Sequence, residues 1–341
     1  MGKVAVIADV HLHNWPQFAV WENGINSRLL RTYECLEWVC TDAVKNGCTS
    51  IIVGGDLFHS RKHIEHSVIV YADMFLGFAE SVGLEVFLLV GNHDLSMKGD
   101  GCNALSMFNG CAKVIDKQCV LDIPKFGKVG FVPWTEDPNE VLAAVEMADS
   151  KKAIGIIGHV GIGGGKVGPR DFEVPGSIAQ GLFKADLFEW VILGHYHGSQ
   201  VLNPDRQANM FYVGSPLQHN FGDRGGCHGY MIVENKKPAV FVENNISPRF
   251  IIKGETPEVI RKIDYVQVRA SSSEIADEEL EEVEVDIAPS VVIEKEHSTQ
   301  VRLDVRGLSN DQILSEYLKK AGKEDDLLLL EGQKLLREVG A

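Results

Sequence analysis

Residues Glu85 to Asp94 read EVFLLVGNHD. Val86 to Gly91 is an apolar run of the length of a buried strand, and its glycine lets the backbone turn sharply at the end. Asn92, His93 and Asp94 then place three polar side chains where the strand stops. In open α/β sheets that carboxyl end is where ligands bind.

The same arrangement recurs four times. Val4 to Ala8 runs into Asp9, with His11 two residues on; Ser50 to Gly54 leads to Gly55, Asp56 and then His59. Ala153 to Gly158 leads to His159, and Trp190 to Gly194 leads to His195 and His197. One Asp or His after a strand is usually a turn former or a cap. Five such endings in one chain are hard to explain by turn chemistry and point to a single site.

Between these endings the text is helical. Ser27 to Asn46 carries Leu29, Leu30, Tyr33, Leu36, Val39 and Val44 at helical spacing, and Gly47 is a natural stop. Arg61 to Val82 reads as a second helix closed by Gly83. The β-α-β-α-β rhythm predicts a layered α/β domain with parallel pairing. From Ala112 short strands take over (Lys113 to Ile115, Cys119 to Ile123, Lys128 to Pro133), which predicts a second sheet packed on the first. A helix over Pro138 to Ser150 and a closing hairpin, Tyr230 to Glu234 with Ala239 to Glu243, complete this part. Trp15 and Trp21, in the loop Asn14 to Asn26, have two readings, stacking on a base or packing on the core, of which packing is the first expectation.

The glycine-rich loop from Gly161 to Lys166 fails as a P-loop, because Val167 stands where Ser or Thr must meet magnesium. Beyond about Phe250 the character shifts. The acidic run Glu274 to Asp286 reads as a solvated segment or linker. Val291 to Glu294 and Gln300 to Val305 read as strands, and Ser309 to Gln312 resembles a capping box opening a helix that ends near Gly322. Asp325 to Val339 reads as a last amphipathic helix.

At 341 residues the chain can bury one large core and an accessory domain. Its 45% hydrophobic and 24% charged content is that of a soluble globular protein. No run approaches the length of a membrane span, and the start has an acid too early for a signal peptide, so a cytoplasmic protein without membrane contact is expected. Seven cysteines without a C-x-x-C pair read as reduced thiols. A net charge of −15 excludes a generally basic DNA coat. It does not exclude a nuclease whose positive field comes from bound cations, local basic patches or a partner.

Asp9, His11, Asp56, Asn92, His159, His195 and His197 offer oxygen and imidazole ligands without cysteine. That donor set suits manganese first, with magnesium or iron as alternatives, and not structural zinc. Seven side chains are too many for one ion, so two divalent ions bridged by Asp56 are expected. Such a pair binds phosphate and acidifies a shared water for in-line attack at phosphorus. His93 is placed to donate a proton to the leaving oxygen, with Asp94 expected to orient its ring through the second nitrogen.

Asp9-Val-His11, Gly55-Asp56, Gly91-Asn-His-Asp94, Gly158-His159 and Gly194-His-Tyr-His197 together resemble the five motifs of the calcineurin-like metallophosphoesterases. The combination is specific, and it covers roughly residues 1 to 240. Gly55-Asp-Leu-Phe-His59 and Gly214-Ser-Pro216 look like the SbcD-type nuclease branch, including its phage recombination relatives. That resemblance implies an α/β, two-sheet metallophosphoesterase sandwich flanked by helices, over residues 1–250, and a smaller α+β C-terminal capping domain, residues 251–341, with terminal helices. It implies a metal-dependent DNA nuclease, exonuclease or endonuclease, acting in double-strand-break repair or recombination with an SbcC-type coiled-coil ATPase, as a homodimer. It further implies that Asp9, His11, Asp56 and His197 hold one ion and Asp56, Asn92, His159 and His195 the other. His59 and His93 would be non-ligand histidines near the scissile phosphate.

His13 departs from the usual glycine of that motif and reads as a surface residue. The protein serine/threonine phosphatase branch is disfavoured, since Leu-Phe-His follows Asp56 in place of an Arg-bearing motif. A stand-alone phosphoesterase on a small substrate is the alternative. A scaffold without catalysis ranks third, because every expected ligand is present.

Overall fold

The first strand shows how the layers form. In β1 (Lys3–Ile7), Ala5 and Ile7 join one hydrophobic cluster while Val4 and Val6 join another, as the two-residue period of a strand requires. The strand is therefore buried on both faces and reads as a continuous apolar run. The computed structural model describes residues 2–96, 101–168, 172–173, 178–254, 259–271, 273–293, 309–320, 328–331 and 333.

The further strands of the two main sheets are β2 (Cys48–Val53), β3 (Glu85–Leu89), β4 (Lys113–Ile115), β5 (Cys119–Ile123) and β6 (Gly127–Val132). They are followed by β7 (Gly155–His159), β8 (Trp190–Gly194), β9 (Gln200–Val201), β10 (Met210–Tyr212), β11 (Gly229–Glu234) and β12 (Val240–Glu243). Two six-stranded sheets result, in the orders β12-β11-β1-β2-β3-β4 and β9-β10-β8-β7-β6-β5. In the first, β1 to β4 run parallel, with Ile7 opposite Val53 and Val53 opposite Leu88. In the second, β6, β7, β8 and β10 run parallel, with Leu193 opposite Gly158. Antiparallel strands close the edges, including the expected β11–β12 hairpin. One detail differs from expectation: β4 extends the first sheet beside β3, and the second sheet begins only at Cys119.

Val4, Val6, Ile52, Phe87, Trp190 and Ile192 fill the space between the sheets. Helices α1 (Ser27–Lys45) and α2 (His66–Ser81) cover the outer face of the first sheet, and α3 (Pro138–Ser150) covers the second. The order of layers is thus helix, sheet, sheet, helix. Asn26 caps α1 by accepting from the amides of Arg28 and Leu29, and Leu29, Leu36 and Val39 are fully buried. Each such side chain contributes roughly 1.5–3 kcal/mol, more than helix propensity supplies. Helix α2 starts five residues later than its pattern predicts. Arg61 to His63 are exposed and the buried positions begin at Val68, so the residues after His59 stay out of the helix.

Beyond β12, β13 (Phe250–Ile252) and β14 (Tyr265–Ala270) pair in parallel in a three-stranded sheet with β15 (Ser290–Ile293). The acidic run is not a simple linker. Most of it folds as helix α4 (Ser273–Glu281), with Ala276 buried and Lys253 Nζ paired to Glu279 and Glu282 at 2.7 and 2.8 Å. Phe18 stacks on Tyr265 at 5.3 Å, and the Arg28 guanidinium lies 5.0 to 5.4 Å from the rings of Phe250, Tyr265 and Trp15. The chain divides into two compact units, Met1–Val292 and Ile293–Ala341. The second contains α5 (Asn310–Lys320), where the amides of Ser309 and Gln312 exchange bonds with each other's side chains, as a capping box does. The expected strand at 300–305 lies outside the described residues, as does most of the expected last helix, 325–339. No helix among the described residues is long and apolar enough to cross a membrane.

Candidate metal centre

The loops leaving β1 and β2 continue side by side. Asp9 donates its amide to the Gly55 carbonyl, His11 to Asp56 and Leu12 to Leu57, at 2.9 to 3.0 Å. This keeps the two carboxylates adjacent beyond the strand ends. Asp9, His11, Asp56 and His195 all adopt positive φ, at 53°, 48°, 55° and 113°. Such backbone costs about 1–3 kcal/mol per residue and persists only where the surroundings over-determine it. Here they do. The His195 amide donates to both Asp9 oxygens at 2.9 and 3.1 Å, and the His93 amide donates to Asp56 Oδ1 at 2.7 Å.

Two glycines explain themselves by proximity. A Cβ on Gly91 would lie 2.2 Å from Asp56 Oδ1, and one on Gly55 would lie 2.1 Å from His159 Nδ1. Both positions must be bare for three strand ends to meet.

All seven residues expected to hold metal are brought together. Asp9, His11 and His197 form one cluster of converging ligand atoms, and Asp9, Asp56 and His159 form another. Asn92 Oδ1 lies 3.1 Å from His159 Nε2 and 3.2 Å from His195 Nδ1, which joins those two residues to the second cluster. Asp56 Oδ2 stands between them, 3.3 Å from His159 Nε2 and 3.8 Å from His11 Nε2. Asp9, Asp56 and His159 are essentially inaccessible, while His59, His93, His195 and His197 are half-buried at the mouth.

The donor chemistry fits divalent cations. His159 Nδ1 donates to the Gly54 carbonyl at 2.8 Å, so Nε2 turns a lone pair toward Asn92 Oδ1 and Asp56 Oδ2, which are acceptors too. His197 Nδ1 donates to Asp223 Oδ1 at 3.1 Å, leaving its Nε2 lone pair 3.2 Å from His11 Nε2. Acceptors facing acceptors need a positive charge between them. Protons answer part of this need: burial opposes charge on His159, but Asp56 and Asp9 raise its pKa to about 9. Burial likewise opposes charge on His197, and the Asp223 carboxylate raises it to about 9. Burial, reinforced by neighbouring imidazoles, pushes His195 down to about 3 and His59 to about 4. Burial raises Asp9, whereas in Asp56 the His159 imidazole overcomes burial and lowers it.

Asp94 has a different place from the one expected. Its oxygens accept from the amides of Asp56 and Gly91 at 2.9 Å and of Phe58 at 3.2 Å, with the side chain buried. The partner of His93 Nδ1 is the His59 carbonyl oxygen. Asp94 therefore frames the turn that presents Asp56, and the chain after β2, not a carboxylate, orients His93. The His59 ring stacks on His93 at 5.3 Å, and the His11 ring lies 4.8 Å from His93. Trp15 is not purely a core residue; it lies against His59 at 4.3 Å and stacks on His219 at 5.8 Å. His13 sits 5.0 Å from His59, on the same wall.

Asp223 and His219 were missed in the sequence. His219 Nε2 bonds the Asp9 carbonyl at 2.9 Å, and its amide donates to Asp223 Oδ2 at 2.8 Å. Neither follows a strand in the repeated pattern, and only their residue types, downstream of Gly214-Ser-Pro216, could have drawn attention.

The chain is 26% identical over 210 residues to "Exonuclease subunit 1" of Enterobacteria phage T4, a match covering 59% of this chain and 58% of that protein, less than two thirds of its length. It is 26% identical over 255 residues to "Putative phosphoesterase 244L" of Invertebrate iridescent virus 6, covering 72% of this chain and 79% of that one. Among solved structures, a dimetal phosphatase from Danio rerio superposes with a TM-score of 0.41 at 10% identity, over 71% of this chain and 98% of the other. The family model described as "Calcineurin-like phosphoesterase" matches residues 2–206, and these residues contain all five strand endings that build the site. The chain belongs to the calcineurin-like phosphoesterases, hydrolases of phosphate esters with a dinuclear metal centre.

Proposed function

We propose that this protein is a dinuclear-metal-dependent DNA nuclease, working in recombination or double-strand-break repair with an SbcC-type coiled-coil ATPase. The observation that carries the reading is the shape of the approach to the site. A cavity of about 760 Å³ holds His195, His197 and Lys166, and a second of about 780 Å³ holds Arg249 and Arg261. The segment Arg224 to Cys227 lines both, so the second cavity adjoins the one that opens on His195 and His197. A single phosphate ester would need only the first cavity. A polyanionic strand uses both; Lys166, Arg224, Arg249 and Arg261 line them, the last two also paired with Asp264, although the chain carries −15 overall. The name of the phage T4 relative points the same way.

Asp9, His11, Asp56 and His197 would hold one ion and Asp56, Asn92, His159 and His195 the other, with manganese the favoured metal. The ions, when bound, supply Lewis acidity toward the ester phosphate and acidify water for attack. The protein does the rest. Asp56 links the two ligand sets, and its position is held by the His93 amide and the Asp94 frame. The His59 carbonyl accepts from His93 Nδ1, so the ring must carry a second proton, as the imidazolium, for Nε2 to donate to the departing oxygen. Trp15, His13 and His59 form an aromatic wall against which a base can stack. Residues 251–341 would act as the accessory, capping part, the terminal helices as the ATPase contact, and a homodimer as the working form.

The test is cleavage of end-labelled duplex and single-stranded DNA with manganese, magnesium or EDTA, beside bis-(p-nitrophenyl) phosphate. Manganese-dependent cleavage, lost in His93→Ala with metal content intact, is the expected result. Intact DNA in the presence of the ATPase subunit, with the small ester hydrolysed, would refute it. That outcome belongs to the second reading, a phosphoesterase on a small substrate.

A further inference from the structure

We propose that Asp223 is a positioning residue that sets the affinity of one of the two metal positions, the one at Asp9, His11 and His197, and leaves the other nearly unchanged. This rests on the dinuclear reading of the site. The two positions are supported in physically different ways. His159 is oriented by a main-chain carbonyl, Gly54, at a strand end, and Asp56 by the main-chain amide of His93. Those supports are main-chain groups just past the strand ends.

His197 instead depends on side chains of the segment 215–228. Asp223 Oδ1 accepts from His197 Nδ1 at 3.1 Å, and Oδ2 accepts from the His219 amide at 2.8 Å. His219 then reaches back through Nε2 to the Asp9 carbonyl at 2.9 Å. One carboxylate is thereby connected to His197 directly and to Asp9 through a single residue. The carboxylate is itself fixed. It ends a short 3-10 turn, Phe221–Asp223, capped by Asn220, and its carbonyl accepts from His228 Nε2 at 2.9 Å, while the other ring nitrogen of His228 lies 2.9 Å from Ser215 Oγ.

A carboxylate on the far nitrogen of a ligating imidazole selects its tautomer, fixes its plane and raises its basicity, and losing such a partner typically costs 10–100-fold in metal affinity. Because His159, Asn92 and His195 make no bond to Asp223, that loss falls on one position. The same segment touches the accessory sheet: the Phe221 ring lies 5.0 Å from Phe250, and Gln218 Oε1 accepts from the Phe250 amide at 2.7 Å. The metal position nearest His197 is therefore the one joined through this segment to Phe250 of β13.

The experiment is manganese titration of the metal-free full chain by calorimetry, with electron paramagnetic resonance of the loaded protein, for wild type, Asp223→Asn and Asp223→Leu. Wild type should take two ions and give the signal of a coupled pair. Asp223→Leu should keep one ion at unchanged affinity, bind the other 10–100-fold more weakly, and show the signal of isolated manganese at substoichiometric loading. Asp223→Asn retains an acceptor for the His197 proton and should recover part of that loss, which a general folding defect would not do. Unchanged affinities, or equal weakening of both ions in the Asn variant, would overturn the proposal. A wild type that binds fewer than two ions would instead overturn the dinuclear reading.

Discussion

Replacing Asp94 by alanine separates a structural role from a catalytic one. The carboxylate accepts from three buried amides, those of Asp56, Gly91 and Phe58. Leaving a buried donor without an acceptor costs about 1–3 kcal/mol. Three adjacent losses do not add fully, and water entering the vacated space recovers part, so about 3–5 kcal/mol is expected for Asp94→Ala. That is a large share of a typical stability of about 5–15 kcal/mol. Asp94→Asn keeps one oxygen, which can still serve the Asp56 and Gly91 amides, and should cost about 1–3 kcal/mol. Urea unfolding of the metal-free proteins measures both, with the midpoint falling at unchanged slope. The Asp56 turn loosens in step, so metal affinity should fall in the same order, Asn before Ala. A loss below about 1 kcal/mol for Asp94→Ala, with hydrolysis nonetheless abolished, would refute the framing role and return Asp94 to the proton-transfer machinery.

Asp56→Ala should remove both ions, as metal content by mass spectrometry reports; retention of one would refute the bridging assignment. Manganese binding should release protons near pH 7, because the pKa values of His159 and His197 are both about 9 and each must be neutral to ligate. Apparent affinity should therefore climb from pH 7 to 9, and calorimetry in buffers of different ionisation enthalpy reads the protons directly. In the metal-free protein the same two histidines stabilise the fold below their unfolded pKa of about 6.5, and that contribution is lost as pH rises through about 9. Arg28→Met should lower stability by about 2–4 kcal/mol, since the guanidinium faces three aromatic rings and donates to the His219 and Gln17 carbonyls; unchanged thermal unfolding would refute that account. Lys166→Ala should reduce the salt dependence of single-stranded DNA binding by about 0.7 in log–log slope, and an unchanged slope would remove Lys166 from the phosphate contacts.

Local chemistry made much of this protein legible in the chain alone. Buried parallel strands must be apolar on both faces, so β1, β2, β3, β7 and β8 stand out as uninterrupted runs. Site residues in such sheets must stand at carboxyl ends, so Asp9, Asp56, Asn92, His159 and His195 could be read from their places at the ends of these runs. The capping box before α5 and the span of α3 were likewise written in adjacent residues. Tertiary structure decided what depends on distant partners. Which sheet β4 joins is a matter of pairing, which short strands do not encode. The acidic run folds as α4 with Ala276 buried and Lys253 within reach of Glu279 and Glu282, contacts set by residues distant in the chain. Asp94 follows His93 in the chain, yet its carboxylate is claimed by amides 36 and 38 residues away. Asp223 comes 26 residues after His197 and shares no pattern with it. A hydrogen bond is set by position in space, and only the fold brings these atoms within about 3 Å of each other.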